Sequence, residues 1–140
     1  MINITQIIGK LSTLKKLPIL PILVNEHVKV YTLFFKPTIF MKMQEFIQSV
    51  KKLDHVTCKF HRYGGLEFNI NQREFCHIHG DGMIDIILTN ALAIKYFREG
   101  ICMPHHFLKK SPWVSYQITN VSDITEAVQL AQVAYQLKLN

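Results

Sequence analysis

The stretch Arg73-Glu74-Phe75-Cys76-His77-Ile78-His79-Gly80-Asp81-Gly82-Met83-Ile84-Asp85-Ile86-Ile87-Leu88 decides the fold. Apolar and polar residues alternate on both sides of Gly80-Asp81-Gly82, which is the pattern of two strands joined in a hairpin. Register then depends on which face is buried, because a slip of one residue turns every side chain over. An Asp81-Gly82 turn would set His79 opposite Ile84 and mix polar with apolar side chains on both faces. A Gly80-Asp81-Gly82 loop instead sets Ile78 opposite Ile84 and Cys76 opposite Ile86. That register collects Cys76, Ile78, Ile84, Ile86 and Leu88 on one face. The other face carries Phe75, His77, His79, Met83 and Asp85, with His77 directly across from Asp85. The longer loop is the one that buries aliphatic groups instead of imidazoles, so it is the one expected.

The same alternation extends upstream. Val56, Cys58 and Phe60 alternate with polar residues before a Gly64-Gly65 turn; Leu66, Phe68 and Ile70 do so before Asn71-Gln72. Downstream, Asn90 is the expected cap of a short helix over Ala91–Glu99, closed by Gly100 at C′. A loop with Pro104 and Pro112 leads to an alternating strand over Trp113–Thr119, and Asp123-x-x-Glu126 is a capping-box pattern opening a helix to Leu137. Before the strands, Pro37-Thr38 starts a helix running to Leu53, with Phe40, Met43, Phe46, Ile47 and Val50 on one face. Met1–Lys16 reads as an amphipathic helix through Ile4, Ile7, Ile8, Leu11 and Leu14. Pro18 and Pro21 stop it and force an extended arm, and Val28–Phe35 reads as a short strand or extended connector.

Short loops between consecutive strands make them antiparallel neighbours. The expectation is an α+β fold, a single antiparallel sheet of four or five strands with helices packed on one face. Residues 1–37 form a helix and arm packing on the core, and 38–140 the α+β domain, in one folding unit. The 140 residues are 49% hydrophobic and 19% charged, which excludes intrinsic disorder and suits one domain. Three cysteines without a CxxC argue against a disulfide framework or a zinc cluster and for a reducing, cytoplasmic home. Lys and Arg number 16 against 10 Asp and Glu, a net charge of +6 that favours acidic partners. No apolar run approaches the roughly 18 residues of a membrane span, and Leu17–Val24 is too short and proline-broken for a signal peptide. No membrane partner is therefore expected.

The chemistry concentrates on the polar hairpin face. An imidazole across from a carboxylate hydrogen-bonds to it, fixing a tautomer and raising the His pKa. His77-Asp85 is thus a general-base-and-orienter pair or a ligand-binding pair. His105 and His106, in the loop before Trp113, reach the same face if that loop folds over it. His77, His79 and Asp85 with one of them would form a chemically sensible zinc or iron set. The spacing matches no metal signature, and no metal or other cofactor is assigned. Gly-x-Ser-x-Gly, the P-loop and Gly-x-Gly-x-x-Gly are all absent, so no nucleophile accompanies the His-Asp pair and the question of catalysis stays open. Cys102, beside the His pair, is the one plausible reactive thiol. The candidate ligand-binding residues are Arg62, His77, His79, Asp85, His105, His106 and Trp113. Three partner classes stay open. They are a small polar or anionic ligand, a nucleic acid held by Lys51, Lys52, Lys59, Lys109 and Lys110, and a second copy of the chain packed on Ile19–Val24.

Several of these motifs resemble one family. They are His61-Arg62-Tyr63-Gly64-Gly65-Leu66-Glu67-Phe68, Arg73 to Gly80, Ile84-Asp85-Ile86, Gly100 followed by Pro104-His105-His106, Trp113-Val114-Ser115, and the Asp123 helix ending near Ala134-Tyr135. In this order, over residues 38–137, they resemble the bacterial luciferase domain family. The resemblance implies a small α+β domain and not the long (β/α)₈ barrel of a bacterial luciferase, which this chain is far too short to form. More distantly, the tryptophan strand, acidic cap and aromatic-ended helix resemble the MmcQ/YjbR group of small α+β proteins, which implies nucleic-acid binding as the alternative function. Lys109-Lys110-Ser111-Pro112-Trp113 departs from the first family, whose members carry a glycine before the tryptophan.

Overall fold

The computed structural model describes residues 19–105, 107, 108, 110–122 and 124–139. The expected helix over Met1–Lys16, His106, Lys109 and the capping residue Asp123 lie outside the described residues. Among the described residues six antiparallel strands form one sheet: β1 (Thr57–Phe60), β2 (Leu66–Ile70), β3 (Arg73–Ile78), β4 (Met83–Ile87), β5 (Met103–Pro104) and β6 (Trp113–Gln117). Their order is β1-β2-β3-β4-β6-β5. The fold is α+β as expected, and the strand beyond the expected four or five is the two-residue β5.

Register follows the hydrophobic pattern. Ile78 pairs with Ile84, Cys76 with Ile86 and His77 with Asp85, so the Gly80-Asp81-Gly82 loop is the one formed. Across the sheet, Cys58, Phe68, Cys76, Ile86 and Val114 make one apolar row, and Leu66, Ile78, Ile84 and Tyr116 the next. Between them runs a polar row, Lys59-Glu67-His77-Asp85-Ser115, whose side chains point to the opposite face.

Four helices are described: α1 (Leu20–Phe35), α2 (Pro37–Lys51), α3 (Asn90–Arg98) and α4 (Ile124–Leu139). Helices α2 and α4 pack together over the apolar face. From α2 come Ile39, Met43, Phe46, Ile47 and Val50, at helical spacing. Phe40, expected on that face, is only half-buried. From α4 come Ala127, Leu130, Ala131, Ala134 and Tyr135, whose three alanines allow close approach to the strands. The cap of α3 is Thr89, whose hydroxyl accepts from Leu92 N, and not Asn90, which is already helical.

One expectation fails outright. Residues 20–35, read as an extended arm followed by a short strand or extended connector, are helical. Pro21 falls in the first turn, where a missing N–H costs nothing because that donor has no helical acceptor. The periodicity was obscured because α1 is inverted: its buried residues are Asn25 and Thr32, while Leu23, Val30, Phe34 and Phe35 are exposed. Thr32 donates to Val28 O, and Asn25 Oδ1 accepts from Gly80 N at 2.8 Å. The helix backbone lies so close to the hairpin loop that a Cβ on Gly80 would sit 2.5 Å from Asn25 O and 2.7 Å from Lys29 N. Only glycine permits that approach. Replacing Asn25 by Ala strands the buried Gly80 N–H, so Asn25→Ala is expected to lose about 1–3 kcal/mol in urea denaturation. Unchanged stability would show that this contact does not hold α1 to the sheet.

Candidate functional site

The polar row meets its densest chemistry at Asp85, which is fully buried. A carboxylate there stays ionised only if donors replace its lost water. Four do so. Oδ2 receives His77 Nε2 and His79 Nε2, each at 3.1 Å, and His105 Nε2 at 3.4 Å. Oδ1 receives the Ser115 hydroxyl from the neighbouring strand. Burial pushes the Asp85 pKa up, but the bonds from His105, His77 and His79 outweigh it and hold the carboxyl well below the usual range.

His105 is delivered by β5. Met103 and Pro104 pair with Ser115 and Val114, which pins the loop to the edge of β6 and brings the next residue over Asp85. The His105 Nδ1 accepts the backbone N–H groups of Phe107 and Leu108, both at 3.1 Å, so its proton is on Nε2. Trp113 flanks the group, its ring 5.6 Å from His77 and 6.3 Å from His105.

A bulge in β3 supplies a second carboxylate. Phe68 pairs with Cys76 but Asn69 pairs with Glu74, leaving Phe75 as the extra residue. Phe75, expected on the polar face, instead turns into the core against Phe68 and Tyr135. That turn transfers Glu74 to the polar face, where Oε1 lies 2.5 Å from His77 Nδ1. His77 therefore bridges two carboxylates. Burial lowers its pKa, but the hydrogen bonds of Asp85 and Glu74 prevail and raise it to about 9. His61 stacks on it with centroids 4.0 Å apart, and its Nδ1 accepts from Tyr63 N. Burial, then the neighbouring His77 charge, push the His61 pKa down to about 4 against the pull of Glu74, so this ring is neutral.

The expected site residues thus divide. His77, His79, Asp85, His105 and Trp113 come together. Arg62 does not join them: it is exposed, its guanidinium 4.8 Å from the Tyr63 ring centroid. His106 lies outside the described residues. His77 is no general base either, since both ring nitrogens face carboxylates. His79 is the reachable imidazole, with 18% of its side chain exposed against 6% for His77 and 8% for His105. Its Nε2 is held by Asp85, while its Nδ1 makes no hydrogen bond among the described residues. Cys102 is no reactive thiol; burial pushes its pKa up to about 12.

Sequence reading missed Glu74, His61 and Ser115. Ser115 was within reach, because a residue two beyond Trp113 on a strand shares its face. Glu74 depended on the bulge, which no local pattern announces. Donor atoms of His77, Asp85 and His105 lie within 4.8 Å of one another, as do those of His61, Glu74 and His77. The same face also holds Glu67, paired with Lys59 at 3.2 Å, and the buried Asn69 Oδ1, which has no hydrogen-bond partner among the described residues.

Because the folded pKa of His77 lies above the ordinary 6.5, its stabilisation is complete below that pH and is lost as pH rises through about 9. In chelator-treated protein the urea midpoint should fall across this window, and His77→Gln should flatten the fall. An identical pH profile in the variant would disprove the bridging role.

No curated protein and no solved structure matches the chain. Residues 72–134, a stretch that holds Glu74, His77, His79, Asp85, His105, Trp113 and Ser115, match the family model described as Luciferase domain, and over that stretch the resemblance read from the motifs is borne out.

Proposed function

We propose that this protein is a small-ligand-binding domain in which the His/Asp face of the sheet holds the ligand and His79 is the group that meets it. The observation that carries this reading is the arrangement around Asp85. A buried anion fixes three imidazoles in place, and one of them keeps a ring nitrogen unengaged at the partly exposed edge. Such a group is pre-organised, so binding costs it little rotamer entropy. The Asp85-oriented His79 can accept a hydrogen bond or a proton from what it binds. Nucleic-acid binding draws less support. Lys59 is engaged by Glu67, Lys42 donates to Asn120 O and Ser122 O, and Lys29 and Lys95 sit beside Glu26 and Glu99.

A panel of small carboxylates, phosphates and polyols, added to the protein as purified, should contain a member that shifts the His79 ring signals saturably in nitrogen-detected NMR. His79→Ala should lose the remaining imidazole shifts. A panel that moves no imidazole, or an unaltered response in the variant, would overturn the reading.

A second reading rests on α1. Leu23, Val30 and Phe34 lie on the side opposite the buried Asn25 and Thr32, an apolar stripe that suits self-association more than solvent. If a second copy covers it, Leu23→Glu with Phe34→Glu should lower the mass seen by light scattering. An equal mass for both proteins rejects it.

A further inference from the structure

Helix α1 sets its polar residues inward and its apolar ones outward, most completely at its C-terminal end. Of residues 30–35, Thr32 is buried, while Val30, Tyr31, Leu33, Phe34 and Phe35 are exposed. At about 3.6 residues per turn these five fan over roughly 200° of the helix circumference, from Leu33 round to Phe35. Phe34 and Phe35 are 72% and 70% exposed, and Met41, in the first turns of α2, is 70% exposed. Burial against a protein core takes an apolar stripe about 100° wide. A second copy laid on Leu23, Val30 and Phe34 would therefore leave Leu33 or Phe35 in water, whereas a fluid apolar layer covers the whole arc. Charge follows the same division of the chain. Residues 1–44 carry Lys10, Lys15, Lys16, Lys29, Lys36 and Lys42 against Glu26 alone, a balance of +5 out of the net +6. Residues 45–140, which build the sheet and the Asp85 centre, come to +1.

We infer that the corner between α1 and α2 docks on an anionic lipid surface, with Phe34, Phe35 and Met41 entering the apolar layer and Lys36 meeting the headgroups. Such docking is independent of the ligand reading of the sheet. Aromatic and aliphatic side chains beside lysines, on a helix that lies along the surface, are the composition that holds a protein at a bilayer boundary. Tyr31 stacks on Phe35 with centroids 4.7 Å apart, an aromatic pair whose hydroxyl suits the wet side of that boundary. Lys36, exposed and directly after Phe35, can lay its apolar stem along the lipid and keep its ammonium among the phosphates. Lys42, next to Met41 in the chain, donates to Asn120 O at 2.8 Å and Ser122 O at 2.6 Å, which holds a positive charge at the corner. The apolar pattern of Ile4, Ile7, Ile8, Leu11 and Leu14 falls in the same basic stretch and would add to the attachment. No described helix is long and apolar enough to cross a bilayer, so the contact is with its surface. The lack of a span excludes crossing but not attachment of this kind.

The test is co-sedimentation of the full chain with vesicles of phosphatidylcholine alone or mixed with an equal share of phosphatidylserine. The chain should sediment with the mixed vesicles and far less with the neutral ones, and raising NaCl from about 0.1 M to about 1 M should release most of it. Phe35→Glu with Met41→Glu, both at exposed positions and confirmed folded by circular dichroism, should weaken binding more than about 10-fold. Wild-type affinity in that variant, equal binding to both vesicle types, or no binding to either overturns the inference. In the last case light scattering says what covers the face instead: a doubled mass assigns it to a second copy, and a monomeric mass to another segment of this chain.

Discussion

Everything on the polar side of the sheet is arranged around one buried negative charge. An ionised carboxylate removed from water loses far more than a single hydrogen bond returns, so it persists only with several donors in place. Asp85 has four, drawn from β3 and the residue just past it, from β6 and from the loop after β5. Each donor depends on a pairing made elsewhere. The β3–β4 register sets His77 opposite the carboxylate, the β4–β6 register sets Ser115, and the short β5 ladder brings His105. The carboxylate is therefore a check on the fold. A slip in any of these ladders would leave a charge stranded, which makes alternative pairings costly.

The bulge in β3 shows how packing and chemistry share one device. Phe75 fills core volume beside Phe68 and Tyr135, and the ladder accommodates it by losing one step of pairing. The consequence for the other face is Glu74 at His77. An imidazole held between two carboxylates keeps its orientation, and the stacked neutral His61 adds bulk without adding charge. At the end of the same hairpin, α1 inserts a polar residue, Asn25, to satisfy the loop at Gly80. Helix α1 meets the hairpin loop through that hydrogen bond and close backbone contact at Gly80, while Leu23, Val30, Phe34 and Phe35 remain exposed.

Resemblance to the luciferase domain covers the strands and helix that build this centre but says nothing of its chemistry, since a fold hosts many functions. Tautomers and exposure bear on function more directly. His61 and His105 are committed donors, His77 is locked between carboxylates, and among the described residues of this centre His79 alone joins a fixed orientation to a reachable nitrogen. Carboxylates at Glu67, Glu26 and Glu99 pair with three of the lysines, Lys59, Lys29 and Lys95, and leave the net positive charge of the chain as it is.

The amino-acid order by itself determined the α+β class, the hairpin loop and the His77-Asp85 pairing. Alternation is a local property, and burying Cys76, Ile78, Ile84 and Ile86 admits one register only. It determined the apolar faces of α2 and α4 for the same reason, since period 3.6 is carried by the residues themselves. The tertiary structure decided what depends on distant partners. Glu74 joined the site because Phe75 was needed in a core made by other elements. His105 arrived through a two-residue ladder too short to leave a pattern. Arg62 stayed outside because its turn aims it at Tyr63. Helix α1 was hidden because its buried face is polar, and polar burial is set by a matching group far along the chain, here the N–H of Gly80, not by periodicity.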